Sequence, residues 1–178
     1  MIAVAILVGT VTWVIGTIVN GAVVKFASDT IEKGHASLKE GLGISLSRLA
    51  SLLGASIASG ILIAVGFLSF IVPGIILIVM FSLVVPVIMI EQKWCFESLG
   101  RSKKLVSKRW GKTFVLLFLI EIIFGIVSSP IGLLTTFFGA VGTIVSSLVM
   151  SFVMPIMPIA ITLLYYSMVA RETSPPQR

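Results

Sequence analysis

The sequence predicts an all-α, polytopic transmembrane helical bundle, about five spans plus an amphipathic cytoplasmic helix. Three observations carry this reading. The 178 residues are 57% hydrophobic and only 11% charged, whereas a soluble globular chain is about half apolar and a quarter charged. The apolar residues fall in runs: Ile2 to Val24 and Leu49 to Ile90 carry no charged side chain, and a helix needs about 20 such residues to cross roughly 30 Å of hydrocarbon. The charges are gathered in turn, mostly into segments 25–48 and 91–112.

The first run, about residues 2–24, reads as a true span. It lacks the basic leader of a secretory signal and is too long for a signal's apolar core. Thr10, Trp13, Thr17 and Asn20 form a polar stripe along it. Segment 25–48 sets Lys25, Lys33, Lys39 and Arg48 against Asp29, Glu32 and Glu40, a net of +1. Within it, Ser37-Leu-Lys-Glu40 has the form of a capping box, and Gly34, Gly41 and Gly43 argue against one long rigid helix.

A single helix over Leu49–Ile90 would be about 63 Å long, twice the hydrocarbon thickness, so the run folds back. Pro73-Gly74 is a breaker pair near its middle. It gives spans at about 49–71 and 75–90, the second kinked by Pro86. Ser47, Ser51, Ala55 and Ser59 recur at four-residue spacing. Such a stripe suits helix–helix packing; a substrate path is the other reading of both stripes.

Segment 91–112 has a net charge of +5. Cys95, Leu99, Val106 and Trp110 share one helical face, with Ser102 filling the gap, and Glu97, Arg101, Lys104, Lys108 and Lys112 share another. One amphipathic helix over 92–111, lying in the headgroup layer, is predicted. Arg101, Lys103, Lys104, Lys108 and Arg109 are its candidate contacts with membrane lipids, including anionic headgroups. The next span, about 113–128, contains Glu121 and closes at Ser128-Ser129-Pro130. Stretch 131–170 is again too long for one helix. It reads as a re-entrant or interfacial segment near 131–145 and a last span at about 148–169, with Pro155 and Pro158. Residues 1–172 thus form one membrane domain, and 173–178 a disordered, proline-bearing tail.

Orientation follows from charge. Segments 25–48 and 91–112 are separated by two spans, so they share a side, and their lysines and arginines make that side cytoplasmic. The N-terminus is then outside and the C-terminus inside the cell membrane. The same clustering accounts for the formal net charge of +6 without a nucleic-acid partner. Cys95 and His35 are single, which excludes an intrachain disulfide and a His/Cys metal cluster. No nucleophile–base pair, phosphate loop or paired carboxylate motif stands out, so neither an enzyme nor a cofactor is expected. Met150, Met154 and Met157 align as lipid-facing or core filler.

Glu121 is the sharpest single residue. It lies nine positions after Lys112, about 13 Å into the core at helical rise. Carboxylates at such depth usually face a bundle interior or a cavity, with Asn20, Thr10, Thr17 or hydroxyls of the last span as donors. It reads either as a proton or cation site or as a packing hydrogen bond between helices.

Val85-Pro-Val-Ile-Met-Ile-Glu91, Glu97-Ser-Leu-Gly-Arg-Ser102, Leu105-Val106 and Trp110 form a run that resembles one in a group of prokaryotic membrane proteins. The group comprises the YciC-like family and the membrane domain that accompanies some glycerophosphoryl diester phosphodiesterases. The end of the last span, Ile-Thr-Leu-Leu-Tyr-Tyr166, and Pro73-Gly74 are similar to that group as well. The resemblance covers most of 49–172. It implies a multi-pass fold without an established activity, and a six-span pattern in which this chain begins at the second. Ile31-Glu32 and Ile90-Glu91 also open the two polar segments alike, which suggests a parallel repeat.

The function expected first is a non-enzymatic structural or accessory role in lipid or envelope homeostasis. A small permease, proton- or cation-coupled through Glu121, is the alternative, and a membrane enzyme comes last. A homo-oligomer, or a complex with other membrane proteins, stays open.

Overall fold

The structure, a computed structural model, describes residues 1–173. Its helices are α1 (Ile2–Lys33), α2 (Leu38–Ser47), α3 (Leu49–Ser69), α4 (Ile71–Phe81), α5 (Val84–Ile90), α6 (Cys95–Ser107), α7 (Trp110–Val153) and α8 (Ile156–Thr173). Five stretches are long and apolar enough to cross a membrane: Ile2–Lys33, Leu49–Ser69, Ile71–Ile90, Trp110–Leu133 and Thr135–Glu172. The expected tail lies, from residue 174 onward, outside the described residues.

α1 does not stop where its charge-free run stops. Asp29 takes Lys25 and Lys33 at 3.0 Å each, two i,i+4 pairs that carry the helix through its charged turns. It ends at Gly34, whose φ of 72° is left-handed and whose N–H reaches the Thr30 carbonyl at 3.1 Å. α2 starts after Ser37 as anticipated, but the Ser37 side chain makes no capping bond, so the capping box is not formed. α2 then runs antiparallel down α1. Gly41 sits against the Ala22 carbonyl, where a Cβ would come within 2.9 Å of the oxygen. Four residues on, Ser45 Oγ donates to the Ile18 carbonyl at 2.9 Å.

The α3–α4 turn lies at Phe70, which is fully extended (φ −166°, ψ 158°), and not at Pro73-Gly74. Pro73 occupies the first turn of α4, where a missing N–H costs nothing. Gly74 is buried against Phe67, whose ring a Cβ would meet at 2.6 Å; the glycine serves close approach between α3 and α4. Pro86 acts as expected, and its effect appears four residues earlier. The chain leaves helix at Ser82-Leu83 between α4 and α5, because a proline ring clashes with the carbonyl of residue i−4.

The second half departs further from expectation. The helix runs through Pro130 rather than closing there. It turns instead at Gly139, whose backbone (φ 54°, ψ −126°) is non-helical. Ser146 Oγ bonds the Ile131 carbonyl at 3.1 Å across that turn. Segment 131–145 is therefore the tip of a helical hairpin and not a separate re-entrant piece. The returning arm bends at Met154-Pro155 and continues as α8.

The core gathers in the half of the bundle that carries the charges. One cluster joins Val79, Leu83, Val87, Leu105, Val106, Leu164, Tyr165 and Met168. A second joins Val24, Leu52, Ala55, Val84, Ile88, Met89 and Leu99. No residue before Gly21 is buried. Within the small-residue stripe Ser51 and Ala55 are buried, which makes that stripe a packing surface.

Candidate functional site

The polar end is built around Glu91, which follows the last turn of α5. Burial alone would push its carboxyl up, but hydrogen bonds from Arg101 and then Tyr165 outweigh this and hold it below the usual glutamate range. Arg101 Nε donates to Glu91 Oε1 and Oε2 at 2.9 and 3.2 Å. Its terminal nitrogens reach Glu172, at the end of α8, at 2.8 and 3.2 Å. One guanidinium thus bridges two carboxylates from different helices, which a planar fork of donors suits and an ammonium does not. Glu172 and Glu91 together raise the Arg101 pKa above its already high ordinary value. Lys93 completes the group, 3.4 Å from Glu91.

A parallel arrangement stands on α1. Tyr166 donates to Glu32 at 2.6 Å and shares a 2.7 Å hydrogen bond with Ser28. Tyr165 donates to Glu91 at 2.9 Å. Consecutive tyrosines of α8, their rings edge-on at 5.5 Å, therefore tie down one glutamate from each polar segment. The resemblance between those segments extends to packing. Ser102 of α6 donates to the Met80 carbonyl at 2.6 Å, as Ser45 of α2 does to Ile18. In each unit a helix folds back on the preceding span and a buried serine takes one of that span's carbonyls. Next to this, Asp29 is 2% exposed and its Oδ2 has no partner among the described residues.

Of the residues singled out from sequence, Lys103, Lys104, Lys108 and Arg109 are exposed and make no ion pair among the described residues. Arg101 does not belong with them: its side chain is 19% exposed and clamped between two acids. Trp110 belongs to α7, not to the helix before it, since α6 ends at Ser107. It stacks on Phe114 at 5.4 Å.

Glu121 and Asn20 do not make the interior contact expected of them. Each is exposed, and neither side chain has a hydrogen bond among the described residues. They do not meet in a bundle interior, because the part of α7 around Glu121, beyond Leu117, and the first half of α1 lie outside the packed core. Thr10 and Thr17 return their hydroxyls to their own helix, on the Ile6 and Trp13 carbonyls, and so offer Glu121 nothing.

No family model, no curated protein and no solved structure matches this chain. Glu91, Arg101, Tyr165 and Tyr166, on which the resemblance to YciC-like proteins partly rests, form with Glu32 and Glu172 a clasp that ties both polar segments to α8. Sequence reasoning had the paired Ile-Glu steps and the Tyr-Tyr ending in view but had no signal that joined them.

Beside the clasp lie two adjoining cavities of about 170 Å³ each. Both are lined by Arg109, Met168 and Arg171, where the α6–α7 elbow meets the last turns of α8. Lys104 and Lys108 border the outer one. Lys112, Leu116, Leu164 and Ser167 border the inner one.

Proposed function

We propose that the chain is a non-enzymatic membrane protein with a structural or accessory role in the envelope, its charged end seated against the anionic cytoplasmic leaflet. The observation that carries this is how charge is divided at that end. The acids Asp29, Glu91 and Glu172 are taken up in ion pairs within the fold. Lys103, Lys104, Lys108, Arg109 and Lys112 remain exposed, with no ion pair among the described residues. α6 and the elbow that follows it, with such a basic face, suit the headgroup layer, because anionic lipids attract basic residues next to a span. The resemblance to YciC-like proteins, which implies no activity, agrees with this role.

The test is reconstitution into nanodiscs of mixed zwitterionic and anionic phospholipid. The expected result is enrichment of anionic lipid around the protein that falls as salt rises; bulk lipid composition at low salt would refute the reading. Orientation is tested with single cysteines at Lys33 and Lys103 on a Cys95→Ala background. Both should be shielded from an impermeant label in intact cells, and labelling from outside would reverse the topology. Transport through Glu121 has less behind it, since that carboxyl lies outside the packed core; a Glu121-dependent solute flux into proteoliposomes would replace the accessory role.

A further inference from the structure

We infer that the slot between the α6–α7 elbow and the last turns of α8 is a discrete site for one phosphate-bearing anionic lipid. This rests on the reading of the charged end as a lipid-facing surface, and it adds an address to it. The slot is two-toned. Lys104, Lys108, Arg109, Lys112 and Arg171 border its two halves, with Glu172 the acidic lining residue. That acid is already engaged by Arg101 at 2.8 Å; it also attracts Lys104 and Lys108 at longer range, but none of the five lining cations forms an ion pair among the described residues. Guanidinium groups match a phosphate's oxygens bidentately, and Arg109 and Arg171 border both halves.

Apart from Thr113 and Ser167, the rest of the lining is apolar. Leu105 and Met168 line the outer half, and Leu116, Leu164 and Met168 the inner. Leu116 and Leu164 lie on the stretches that cross the membrane. Cations at the mouth and aliphatic side chains leading toward the spans fit an ionic head on hydrocarbon chains. A free phosphate would use the first feature and not the second. Size points the same way. Each half, about 170 Å³, is smaller than the roughly 300–1,000 Å³ of a site that encloses a whole small molecule. A headgroup fits, with its acyl chains left in the bilayer along α7 and α8.

The full chain in zwitterionic nanodiscs is titrated with phosphatidylglycerol, and binding is read by native mass spectrometry. One saturable lipid per chain is expected. The pair Arg109→Gln with Arg171→Gln should weaken it about 30-fold, which is about 2 kcal/mol at 1.4 kcal/mol per tenfold. Lys39→Gln removes an exposed charge of the same sign on α2, outside the slot, and should leave the saturable site unchanged. Ser167→Phe keeps every charge and fills the inner half. It should abolish the site too, and it decides the matter if the double variant does not fold. Equal small losses in all variants with no saturable component would overturn the site while keeping the general surface reading. No anionic enrichment at any composition would remove both. Displacement of the lipid by millimolar inorganic phosphate, with equal binding of phosphate alone, would overturn the lipid as ligand.

Discussion

Removing Arg101 should loosen the whole polar end, because among the described residues that side chain is the cation shared by α5's end, α6 and α8. Arg101→Gln leaves Glu91 with Lys93 and Tyr165, and Glu172 without its partner. A hydrogen bond to a charged group contributes about 1.5–3 kcal/mol when buried. The Arg101 and Glu91 side chains are 19% and 18% exposed, so water screens part of this, and we expect a loss of about 2 kcal/mol. For a chain of this size about 2 kcal/mol lowers a melting temperature by roughly 4–8 °C. The assay is thermal unfolding in nanodiscs. Glu91→Gln should cost less, since Arg101 keeps Glu172 and the amide still accepts from Tyr165. The two changes together should cost less than their sum, because they share a contact. A loss for Arg101→Gln no larger than for the exposed Lys103→Gln, or strict additivity with Glu91→Gln, would refute the clasp.

Three further outcomes follow from the same structure. The Glu91 carboxyl is held below its unfolded value, so as pH falls the unfolded chain takes up its proton first. The stabilisation is complete at neutral pH and is lost as pH falls below about 4.3 through the folded value; thermal melts should show that decline in the parent and a flatter one in Glu91→Gln. Gly41→Ala should destabilise by about 1–3 kcal/mol, as an overpacked contact does, because the added Cβ meets the rigid Ala22 carbonyl. Gly43→Ala has open space and should gain up to about 1 kcal/mol of helix propensity; equal effects in melts would undo the α1–α2 packing. Glu121→Leu should keep the fold and stabilise it in a bilayer by about 3 kcal/mol, the scale of a charged group at mid-depth; a destabilised or misassembled variant would show that Glu121 has a partner.

The span count was legible because length and charge-free runs are one-dimensional properties. Two spans in the Leu49–Ile90 run and the kink from Pro86 follow from chain length and ring geometry alone. Breakers were less legible. Pro73 is harmless in the first turn of a helix, and Pro130 sits in mid-helix, as membrane helices allow where neighbouring groups or local adjustments satisfy the freed carbonyl. The true turn at Gly139 depends on a positive φ that the sequence does not announce. Glu121 misled because depth sets the cost of a carboxyl but not which way its helix faces. The clasp was the least legible part: Glu91 and Tyr165 are 74 residues apart in sequence, and their pairing exists only once α5 and α8 are neighbours.

That separation has a consequence for biogenesis. A ribosome adding about 5–20 residues each second needs roughly 4–15 s to pass from Glu91 to Tyr165. α1 to α5 are already made when that interval begins and α6 and α7 are made during it, yet Glu32, Glu91 and Arg101 wait for groups that only α8 supplies. The earlier helices can insert, but their polar end closes only when Tyr165, Tyr166 and Glu172 arrive. A chain halted before α8 carries an arginine without Glu172 and two glutamates, Glu32 and Glu91, without their tyrosines, a chemical signature by which unfinished copies differ from finished ones.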